Sequence, residues 1–473
     1  MEIIHVSAEC YPYAKVGGLA DVVGTLPKYQ QQLGHIAKVV LPMHRTKFLY
    51  EHEWTVEHKG SIMMGNSHFE YTIIKEKSNE LDFDLYCVDI YGLLDRENVY
   101  SYDDDTERFT AFQIAVVDWI SKWEHKPDVV HVHDHHTGLI PFMMKHSFAY
   151  NHLANVPTVF TIHNAQYQGW MSWDDSNYIP DFDTWQWGLL DWDNMINPLA
   201  CAVKCADRVS TVSPSYMEEL KTNANGLEQL FVSEFFKCSG ILNGIDTVVW
   251  NPEIDTYILD NYSVKDADAG KQLNKKKLCK DFNLDPKLPL FIFIGRLVGE
   301  KAADLLPQAI SDSISQLGNK MNFLILGSGD KKLEDQLTYL VSSYTGFYNS
   351  KIGYNEKLSH QMYAGADFIL MPSRVEPCGL NQMYALRYGT IPMVRSTGGL
   401  KDTIIDFGEP GGFGIRFNYA SVWDITYSVH RAVELFDDKE KMTALRKQIM
   451  KINNSWELSA GKYIALYEAA QSK

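Results

Sequence analysis

Short apolar runs alternate along this chain with longer stretches in which apolar and polar positions are mixed. The short runs are rich in β-branched and aromatic residues, which is typical of strands buried on both faces of a parallel sheet. Two of the longer stretches, 355–366 and 382–388, have apolar residues at helical spacing. This alternation predicts an α/β protein with doubly wound parallel sheets. The predicted strands span residues 3–6, 35–41, 128–133, 157–162, 290–294, 322–326, 367–371 and 390–394.

The alternation stops over residues 243–287, where turn signals and charged residues accumulate. We place a domain boundary near Gly244, which leaves 1–243 and 244–455 each long enough to form its own sheet. Two such domains are expected to face each other across a cleft, where a ligand meets the carboxyl ends of both sets of strands. The last segment, 456–473, has aromatic and aliphatic residues at helical spacing and predicts an amphipathic helix packed on one domain.

The charge balance and composition exclude several classes of partner. The chain has 473 residues, with 44 Lys and Arg against 60 Asp and Glu, so its net charge is −16. Nucleic acids and anionic membranes are bound by basic surfaces, and neither is therefore expected as the main partner. No apolar run approaches the ~20 residues of a transmembrane helix, and the N-terminus has no signal-peptide pattern. The seven cysteines have no paired spacing, which favours a reducing, cytoplasmic location.

Glycines and a lysine follow the first predicted strand. Lys15 precedes Gly17 and Gly18 at the start of a predicted helix. Two glycines at a helix start let backbone N–H groups approach a phosphate, and the lysine adds a positive charge beside them. A plain tight turn is the alternative, because the chain has neither the G-x-G-x-x-G dinucleotide fingerprint nor a P-loop.

In the second half, three predicted strands are each followed by a segment of this type. The first segment carries Arg296 and Lys301, two cations suited to neutralising a diphosphate. The second, 373–382, places Glu376 before a helix start that contains glycine, so that a carboxylate could hold a sugar hydroxyl while amides face a phosphate. The third, 396–400, again contains two glycines. Three such loops in one half indicate a phosphate-binding site rather than chance turns.

A histidine cluster, HVHDHH at 131–136, follows another predicted strand. It nearly matches the H-x-H-x-D-H spacing of binuclear metal hydrolases, with a histidine where an aspartate should be. The alternative is a strand that leaves its core with polar side chains directed into a cleft, and no clear set of further ligands is visible. His163 follows the next predicted strand and is expected at the same edge of the sheet.

Taken in order, these motifs resemble the bacterial glycogen synthase and plant starch synthase family, and the resemblance extends over nearly the whole chain. Each motif alone is moderately specific, but their order and their placement after strands make the combined match strong. The matching segments are KVGGLADVVGTLP at 15–27, HVHDHHTGL at 131–139, TIHNAQYQG at 161–169, ADRVSTVSPSY at 206–216, ILNGID at 241–246, GRLVGEK at 295–301, IGYNEKLSHQMYAGAD at 352–367, PSRVEPCGLNQMYALRYG at 372–389 and STGGLKDT at 396–403.

The resemblance implies a GT-B fold, in which two Rossmann-like domains face each other across a deep cleft and the terminal helix returns to the first domain. It also implies a retaining transferase that moves glucose from ADP-glucose to the non-reducing end of an α-1,4-glucan such as glycogen. In this family no metal or other cofactor is needed, which weakens the metal interpretation of the histidine cluster. A GT-B transferase that uses UDP-glucose or a small acceptor is one alternative. A metal-dependent hydrolase and a silent glycan-binding protein are alternatives from other classes.

The resemblance also implies roles for single residues. Arg296 and Lys301 are implied to neutralise the departing diphosphate, and Glu376 to hold glucose hydroxyls. Tyr354 is implied to stack on the nucleobase, and His163 to lie under the anomeric carbon with its backbone carbonyl directed towards it. The other implied contacts are Lys15, Gly17 and Gly18 at the phosphates with Asp21 in the same substrate-binding motif, Thr397, Gly398 and Gly399 at the distal phosphate, the backbone of Cys378, Gly379 and Leu380 beside Glu376, and Asp134 and Asn243 on the glucose and acceptor side.

The chain departs from the family's pattern at a few positions. Val16 stands where many members have Thr, His135 where many have Trp, and Ala302 where a Gly usually follows the motif lysine. The donor-phosphate residues are intact, so the resemblance speaks more strongly for the donor chemistry than for the identity of the acceptor. Tyr384 stands where many other retaining GT-B enzymes have a second Glu, which favours the glycogen and starch synthase branch.

Overall fold

The computed structural model of the protein describes residues 1–78 and 80–472, and the chain divides into two units. Unit 1 contains Met1–Asn243 together with the segment that begins at Trp456, and unit 2 contains Gly244–Ser455. Each unit is built around its own central sheet. Within the described residues, no helix is both long and apolar enough to cross a membrane.

Unit 1 contains strands and helices in alternation for most of its length. Within the described residues its strands are β1 (Glu2–Val6), β2 (Ile36–Pro42), β3 (Trp54–Met64), β4 (Ser67–Glu76), β5 (Asp84–Asp89), β6 (Val129–His133), β7 (Thr158–Ile162), β8 (Asp191–Trp192), β9 (Met195–Ile196), β10 (Arg208–Thr211) and β11 (Cys238–Gly240). Its helices before Gly244 are α1 (Gly18–Gln32), α2 (Lys47–Glu51), α3 (Asp105–Ser121), α4 (Ile140–His146), α5 (Trp187–Leu190), α6 (Pro198–Cys205), α7 (Pro214–Glu219) and α8 (Glu228–Ser233).

Unit 2 repeats the alternation with a smaller set of elements. Within the described residues its strands are β12 (Leu290–Ile294), β13 (Asn322–Gly327), β14 (Tyr348–Ile352), β15 (Phe368–Met371), β16 (Ile391–Arg395) and β17 (Ile415–Phe417). Its helices are α9 (Ala267–Asp281), α10 (Leu306–Leu317), α11 (Lys331–Ser343), α12 (Glu356–Gly365), α13 (Asn381–Arg387), α14 (Gly398–Thr403), α15 (Val422–Asp437) and α16 (Lys439–Ile449).

The two central sheets are mainly parallel, as the apolar runs predict. In unit 1 the strand order is β11-β10-β7-β6-β1-β2-β5-β4-β3, and only β4 and β3 pair antiparallel to their neighbours in the described chain. In unit 2 the order is β14-β13-β12-β15-β16-β17, and every pairing is parallel. All the strands predicted from apolar runs are present, with bounds that differ by about one residue. In a parallel sheet the loops that follow neighbouring strands lie at one edge, and this arrangement groups the predicted motifs within each unit.

The segment after unit 2 forms helix α17 (Trp456–Gln471), which belongs to unit 1. Trp456, Tyr463 and Tyr467 on this helix are buried against Ile3 of β1 and Leu26 of α1. The predicted helix over 456–473 is therefore slightly shorter in the structure, and its last residue, Lys473, lies outside the described residues. Because α17 covers an apolar face of the sheet, it is part of the core of unit 1.

Nine strands of the structure were not predicted, namely β3, β4, β5, β8, β9, β10, β11, β14 and β17. The β3–β4 hairpin and helix α9 show why the sequence missed such elements. The hairpin β3–β4 is absent from the predicted strands because β3 is mostly exposed, so its sequence lacks a continuous apolar run. Helix α9 lies in the stretch that the sequence suggested was irregular. Its inward positions include Lys271, whose ammonium group donates to the carbonyls of Tyr363, Ala364 and Tyr388 at 3.0 Å. A helix is normally predicted from apolar residues that recur every three to four positions. A lysine at a buried position, stabilised there by donating to carbonyls, interrupts this pattern.

Candidate active site

The centre of the predicted site in unit 2 is an ion pair between Lys301 and Glu376. β12 and β15 are neighbours in the sheet, and the loops that follow them carry the two residues. The Lys301 ammonium group lies 2.7 and 2.6 Å from the two carboxylate oxygens of Glu376, and the Ser373 hydroxyl donates to Oε2 at 2.8 Å. Glu376 is only 6% exposed. The structure thus brings together two residues predicted from separate motifs and fixes the carboxylate from two sides.

Arg296, in the same loop as Lys301, is held more loosely. Its guanidinium group donates to Glu300 Oε2 at 2.9 Å, and its side chain is 59% exposed. An exposed ion pair of this kind contributes little to stability, about 0–1 kcal/mol. Arg296 therefore retains enough freedom to turn towards an anionic ligand, while Lys301 is already positioned.

Two amides of the glycine loop of unit 2 donate hydrogen bonds within the protein. The Gly399 N–H donates to the carbonyls of Glu376 and Pro377 at 3.1 Å, and the Thr397 N–H donates to the Arg395 carbonyl at 2.9 Å. A Cβ atom at Gly398 would lie 2.0 Å from the Glu376 carbonyl oxygen, so the glycines allow two backbone segments to touch.

These glycines therefore have a packing role that the phosphate prediction did not include. The contacts of Thr397, Gly398 and Gly399 with a distal phosphate remain predictions, and the two engaged amides would have to exchange partners to make them. The neighbouring residues Cys378, Gly379 and Leu380 form the turn that leads into α13, with Gly379 at φ +74°.

Tyr354 lies in the loop between β14 and α12, next to the N-cap residue Asn355. Its side chain is 81% exposed. An exposed tyrosine ring at the carboxyl end of a parallel strand is suitably placed to stack on a base. Its contact with a nucleobase remains a prediction.

In unit 1, the glycine motif at the start of α1 already binds an anionic group, the carboxylate of Glu9. Glu9 Oε2 accepts from the N–H groups of Val16 and Gly17 at 2.6 and 2.9 Å, and Oε1 accepts from the Tyr100 hydroxyl at 2.6 Å. Glu9 is buried, and the sequence analysis did not single it out. The only signal was an acidic residue shortly after the first strand. A phosphate could accept from Gly17 as predicted only after displacing this carboxylate.

Lys15 and Asp21 form the second contact of this motif. Their side chains lie 2.7 Å apart, and both are partly exposed. The contacts of Lys15, Gly18 and Asp21 with a donor phosphate remain predictions. The carboxylate of Asp21 lowers the net positive charge that Lys15 would offer to such a ligand.

Asp134 and His163 meet at the ends of the neighbouring strands β6 and β7. Asp134 Oδ1 accepts from the backbone N–H of His163 at 2.7 Å, and Asp134 has a left-handed backbone with φ +57°. Burial raises the pKa of the Asp134 carboxyl from 3.8 to about 7, although the N–H groups of His163 and Asn164 oppose the shift. A strained backbone at a carboxylate that fixes the next loop is typical of a functional site.

The substitution Asp134→Asn is expected to change how stability depends on pH. Between pH 3.8 and about 7 the folded protein binds a proton at Asp134 that the unfolded chain has released, so the free energy of unfolding falls as the pH rises. Asparagine does not ionise, and the wild type should therefore lose stability relative to Asp134→Asn as the pH rises through this window. Urea denaturation of both proteins, below pH 3.8 and above pH 7, measures the difference in their free energies of unfolding. A difference that does not change with pH would contradict the raised pKa of Asp134.

His131 and His133 of the predicted histidine cluster form a buried hydrogen-bonded network with His5 in unit 1, whereas His136 Nδ1 has no hydrogen-bond partner among the described residues. Side-chain nitrogens of His5, His131 and His133 lie within 4.8 Å of one another, and all three residues are buried. Both ring nitrogens of each of these three histidines have hydrogen-bond partners in side chains of the same unit. A metal ligand must offer a free lone pair, so this arrangement favours buried, satisfied histidines over a preformed metal centre.

Asn243 is the last residue of unit 1 before the boundary. It is buried, and its side-chain oxygen has no hydrogen-bond partner among the described residues. A buried acceptor without a partner costs about 1–3 kcal/mol, so a donor from a ligand or a water molecule would stabilise this position. Its predicted place on the glucose and acceptor side remains a prediction.

Two family models match the chain, and they divide it near the unit boundary. The starch synthase catalytic domain matches residues 2–233, and glycosyl transferases group 1 matches residues 274–449.

Individual proteins similar to this chain agree with both models. A glycogen synthase from Flavobacterium johnsoniae is 54% identical over 99% of this chain and 98% of its own length. A glycogen synthase from Finegoldia magna is 36% identical over 99% of each chain. The structure of the catalytic domain of starch synthase IV from Arabidopsis thaliana, bound to ADP and acarbose, has a TM-score of 0.89 and 30% identity over 100% of this chain and 99% of its own.

The resemblance stated from the sequence motifs and the predicted α/β, GT-B class are confirmed by these matches. The chain is a glycosyltransferase, and it belongs to the glycogen and starch synthase family.

Proposed function

We propose that this protein transfers glucose from ADP-glucose to the non-reducing end of an α-1,4-glucan, with retention at the anomeric carbon. The pair of Lys301 and Glu376 is the observation that carries the proposal, because it puts a fixed cation and a buried carboxylate at adjacent strand ends. Whole-chain similarity to curated glycogen synthases supports it, as does the Arabidopsis relative that was solved with ADP and acarbose.

In the proposed reaction, the bond between the glucose C1 atom and a phosphate oxygen of the donor breaks. A new bond forms between C1 and the terminal hydroxyl oxygen of the glucan. The hydroxyl proton passes to the leaving phosphate, so ADP leaves and no separate carboxylate base is required. Negative charge grows on the leaving oxygen, and cations fixed beside it stabilise the transition state. Lys301 would supply this charge, while Arg296 would turn from Glu300 to the phosphate.

The proposed roles in unit 1 concern the sugar. The backbone carbonyl of His163 would lie against the anomeric carbon and stabilise its positive charge in the transition state. The Asp134 carboxylate, by accepting from the His163 N–H, would hold that carbonyl in place. Asn243 would offer its unused side-chain oxygen to a sugar hydroxyl.

We propose further that the reaction uses no resident metal ion. Lys301 and Arg296 supply the positive charge that a divalent cation supplies in many phosphate sites. The ring nitrogens of His5, His131 and His133 are already hydrogen-bonded, which supports the same conclusion. Metal analysis of the purified protein, with activity before and after chelation, tests it; activity lost on chelation and restored by one metal would overturn it.

Nucleotide release from ADP-glucose and UDP-glucose, each with and without glycogen, tests the main proposal. We expect ADP release that depends on glycogen and a much slower reaction with UDP-glucose. A preference for UDP-glucose would support the alternative donor within the same fold. Release of neither nucleotide, under conditions in which a known glycogen synthase is active, would overturn the proposed function.

Replacing Tyr354 by alanine is expected to raise the KM for the donor about tenfold, because stacking on a base contributes about 1–2 kcal/mol. The kcat should change much less, since the ring lies away from the bond that breaks. Steady-state kinetics with ADP-glucose measures both. Tyr339→Ala, at another exposed tyrosine of unit 2, is the control and should leave KM unchanged. An unchanged KM in Tyr354→Ala would remove this residue from the nucleotide site.

A further inference from the structure

A continuous series of hydrogen bonds, buried except for its partly buried last link, connects helix α17 to His163. The Gln30 side-chain amide donates to the Tyr467 hydroxyl at 2.8 Å, and Gln30 Oε1 lies 2.7 Å from His5 Nε2. His5 Nδ1 lies 3.0 Å from His133 Nε2, and His133 Nδ1 lies 3.0 Å from His163 Nε2. The series therefore begins in the C-terminal helix and ends at the residue predicted to lie under the anomeric carbon.

The imidazoles in this series are neutral. Burial lowers the pKa of His5 to about 4 and that of His163 to about 3. Burial and the neighbouring histidines also hold the pKa of His133 well below its ordinary value. A neutral imidazole has one N–H donor and one acceptor nitrogen. Each histidine in the series must therefore accept from one neighbour and donate to the other.

The orientation of the Gln30 amide sets the direction of all these hydrogen bonds. Its oxygen accepts from His5 Nε2, so His5 carries its proton on Nε2 and has a free lone pair on Nδ1. His133 must then donate from Nε2 to His5 and accept at Nδ1. The last donor is His163 Nε2, which leaves His163 Nδ1 without a proton.

The Tyr467 hydroxyl is the hydrogen-bond partner of the Gln30 side-chain NH₂ group. Its hydroxyl accepts from Gln30, so its own proton is directed to His131 Nδ1 at 2.7 Å. His131 then donates from Nε2 to the Thr161 hydroxyl at 2.6 Å. If the Gln30 amide turned over, the Tyr467 hydroxyl would have to donate to it, and the proton on each histidine of the series would change places.

We propose that Gln30 and Tyr467 are positioning residues that hold His163 in the Nε2–H tautomer, with Nδ1 as a hydrogen-bond acceptor for a substrate hydroxyl. The last clause of this proposal rests on the proposed glucosyl transfer, whereas the tautomer itself does not. Neither residue touches the reacting atoms in this scheme. They act through His5 and His133 on which ring nitrogen of His163 carries the proton.

Two substitutions interrupt this series of hydrogen bonds at the end opposite His163. Gln30→Leu removes both the oxygen and the NH₂ group of the side-chain amide, and Tyr467→Phe removes only the hydroxyl that accepts from the NH₂ group. When the direction of these hydrogen bonds is no longer fixed, His163 should become a mixture of its two tautomers. We expect kcat to fall about tenfold in both variants, because a small misplacement at the reacting centre is costly, and we expect little change in the KM for ADP-glucose.

The matched control is Tyr463→Phe. Tyr463 lies one turn before Tyr467 on α17, is equally buried, and its hydroxyl is outside this series of hydrogen bonds. Loss of this hydroxyl should leave the His163 tautomer and kcat as in the wild type. The control separates loss of a buried hydroxyl in general from loss of the one that orients Gln30.

The tautomer is measured by nuclear magnetic resonance of protein labelled with ¹⁵N-histidine, with the His163 signals assigned from a His163→Asn variant. The expected wild-type result is a protonated Nε2 and an unprotonated Nδ1 at pH 7, with averaged signals in Gln30→Leu and Tyr467→Phe. A wild-type proton on Nδ1, or an unaltered tautomer in both variants, would overturn the proposal. If Gln30→Leu does not fold, the His163 tautomer in Tyr467→Phe alone tests the proposal. If the wild type transfers no glucose, the proposed function fails, but the tautomer measurement still tests whether Gln30 and Tyr467 set the tautomer of His163.

Discussion

Replacing Lys301 by alanine is expected to lower kcat about 100- to 1,000-fold while changing the KM for the donor far less, because the lost cation acts on charge that develops in the transition state. The ammonium group of Lys301 is held by both carboxylate oxygens of Glu376, so it needs no reorganisation during the reaction. Glu376→Ala should have an effect of the same order, because it removes the group that positions Lys301. Steady-state kinetics of ADP release with glycogen measures both variants.

Lys331→Ala provides the control for the loss of a paired lysine in unit 2. Lys331 pairs with Asp335 on the surface of α11 at 2.6 Å, and both side chains are largely exposed. Its replacement should leave kcat unchanged. Near-normal turnover in both Lys301→Ala and Glu376→Ala would disprove the assignment of the site in unit 2. A fall in Lys301→Ala that Lys301→Arg restores would show that charge alone is sufficient.

Replacing Asp367 by asparagine is expected to destabilise unit 2 by about 3–5 kcal/mol, because the substitution leaves the buried Lys275 ammonium group without its carboxylate, whereas Arg446 keeps its salt bridge to Asp268. Asp367 precedes β15 and is 2% exposed. Its carboxylate lies 2.7 Å from the Lys275 ammonium group and 2.5 Å from the Arg446 guanidinium group, and it also accepts from the Leu290 N–H. Urea denaturation measures the change, with Asp335→Asn in the exposed pair as the control.

The same carboxylate should make stability depend on acid pH. Burial by itself raises the pKa of Asp367, but Lys275 and Arg446 outweigh it and hold the pKa below its ordinary value. The stabilising effect is therefore complete above the ordinary carboxyl pKa of about 3.9 and is lost as the pH falls through the lower folded value. The difference between the wild type and Asp367→Asn should shrink in acid. A difference that grew in acid would contradict this assignment.

How far the sequence predicted the fold depended on how each element is buried. β12 is buried on both faces, so its continuous apolar run predicted its bounds correctly. β3 is largely exposed and was missed, because a strand on a solvated edge needs no apolar run. α9 was missed because Lys271 and Lys275 occupy inward positions, where their charges have partners that only the tertiary structure supplies.

In the candidate site, too, the sequence predicted some features and missed others. Motifs after parallel strands predicted that Lys301 and Glu376 belong to one site, since neighbouring strands end at one edge of the sheet. The role of Glu9 at the Gly17 amide was not predicted, because it depends on the path of a loop rather than on spacing in the sequence. The two hydrogen-bond partners of the His133 ring, His5 and His163, likewise come from distant segments, and no local pattern indicates which of its nitrogens carries the proton.

Helix α17 also imposes an order on folding during synthesis. The ribosome completes all of Gly244–Ser455 before it makes the helix that fills the core of unit 1. At about 5–20 residues per second, that span takes on the order of 10–40 s. Throughout this delay Ile3 and Leu26 lack their covering helix. The nascent first unit therefore exposes an aggregation-prone apolar surface to chaperones and to neighbouring chains. A ribosome that stops before Trp456 would release a chain with a finished second unit and an unfinished first one.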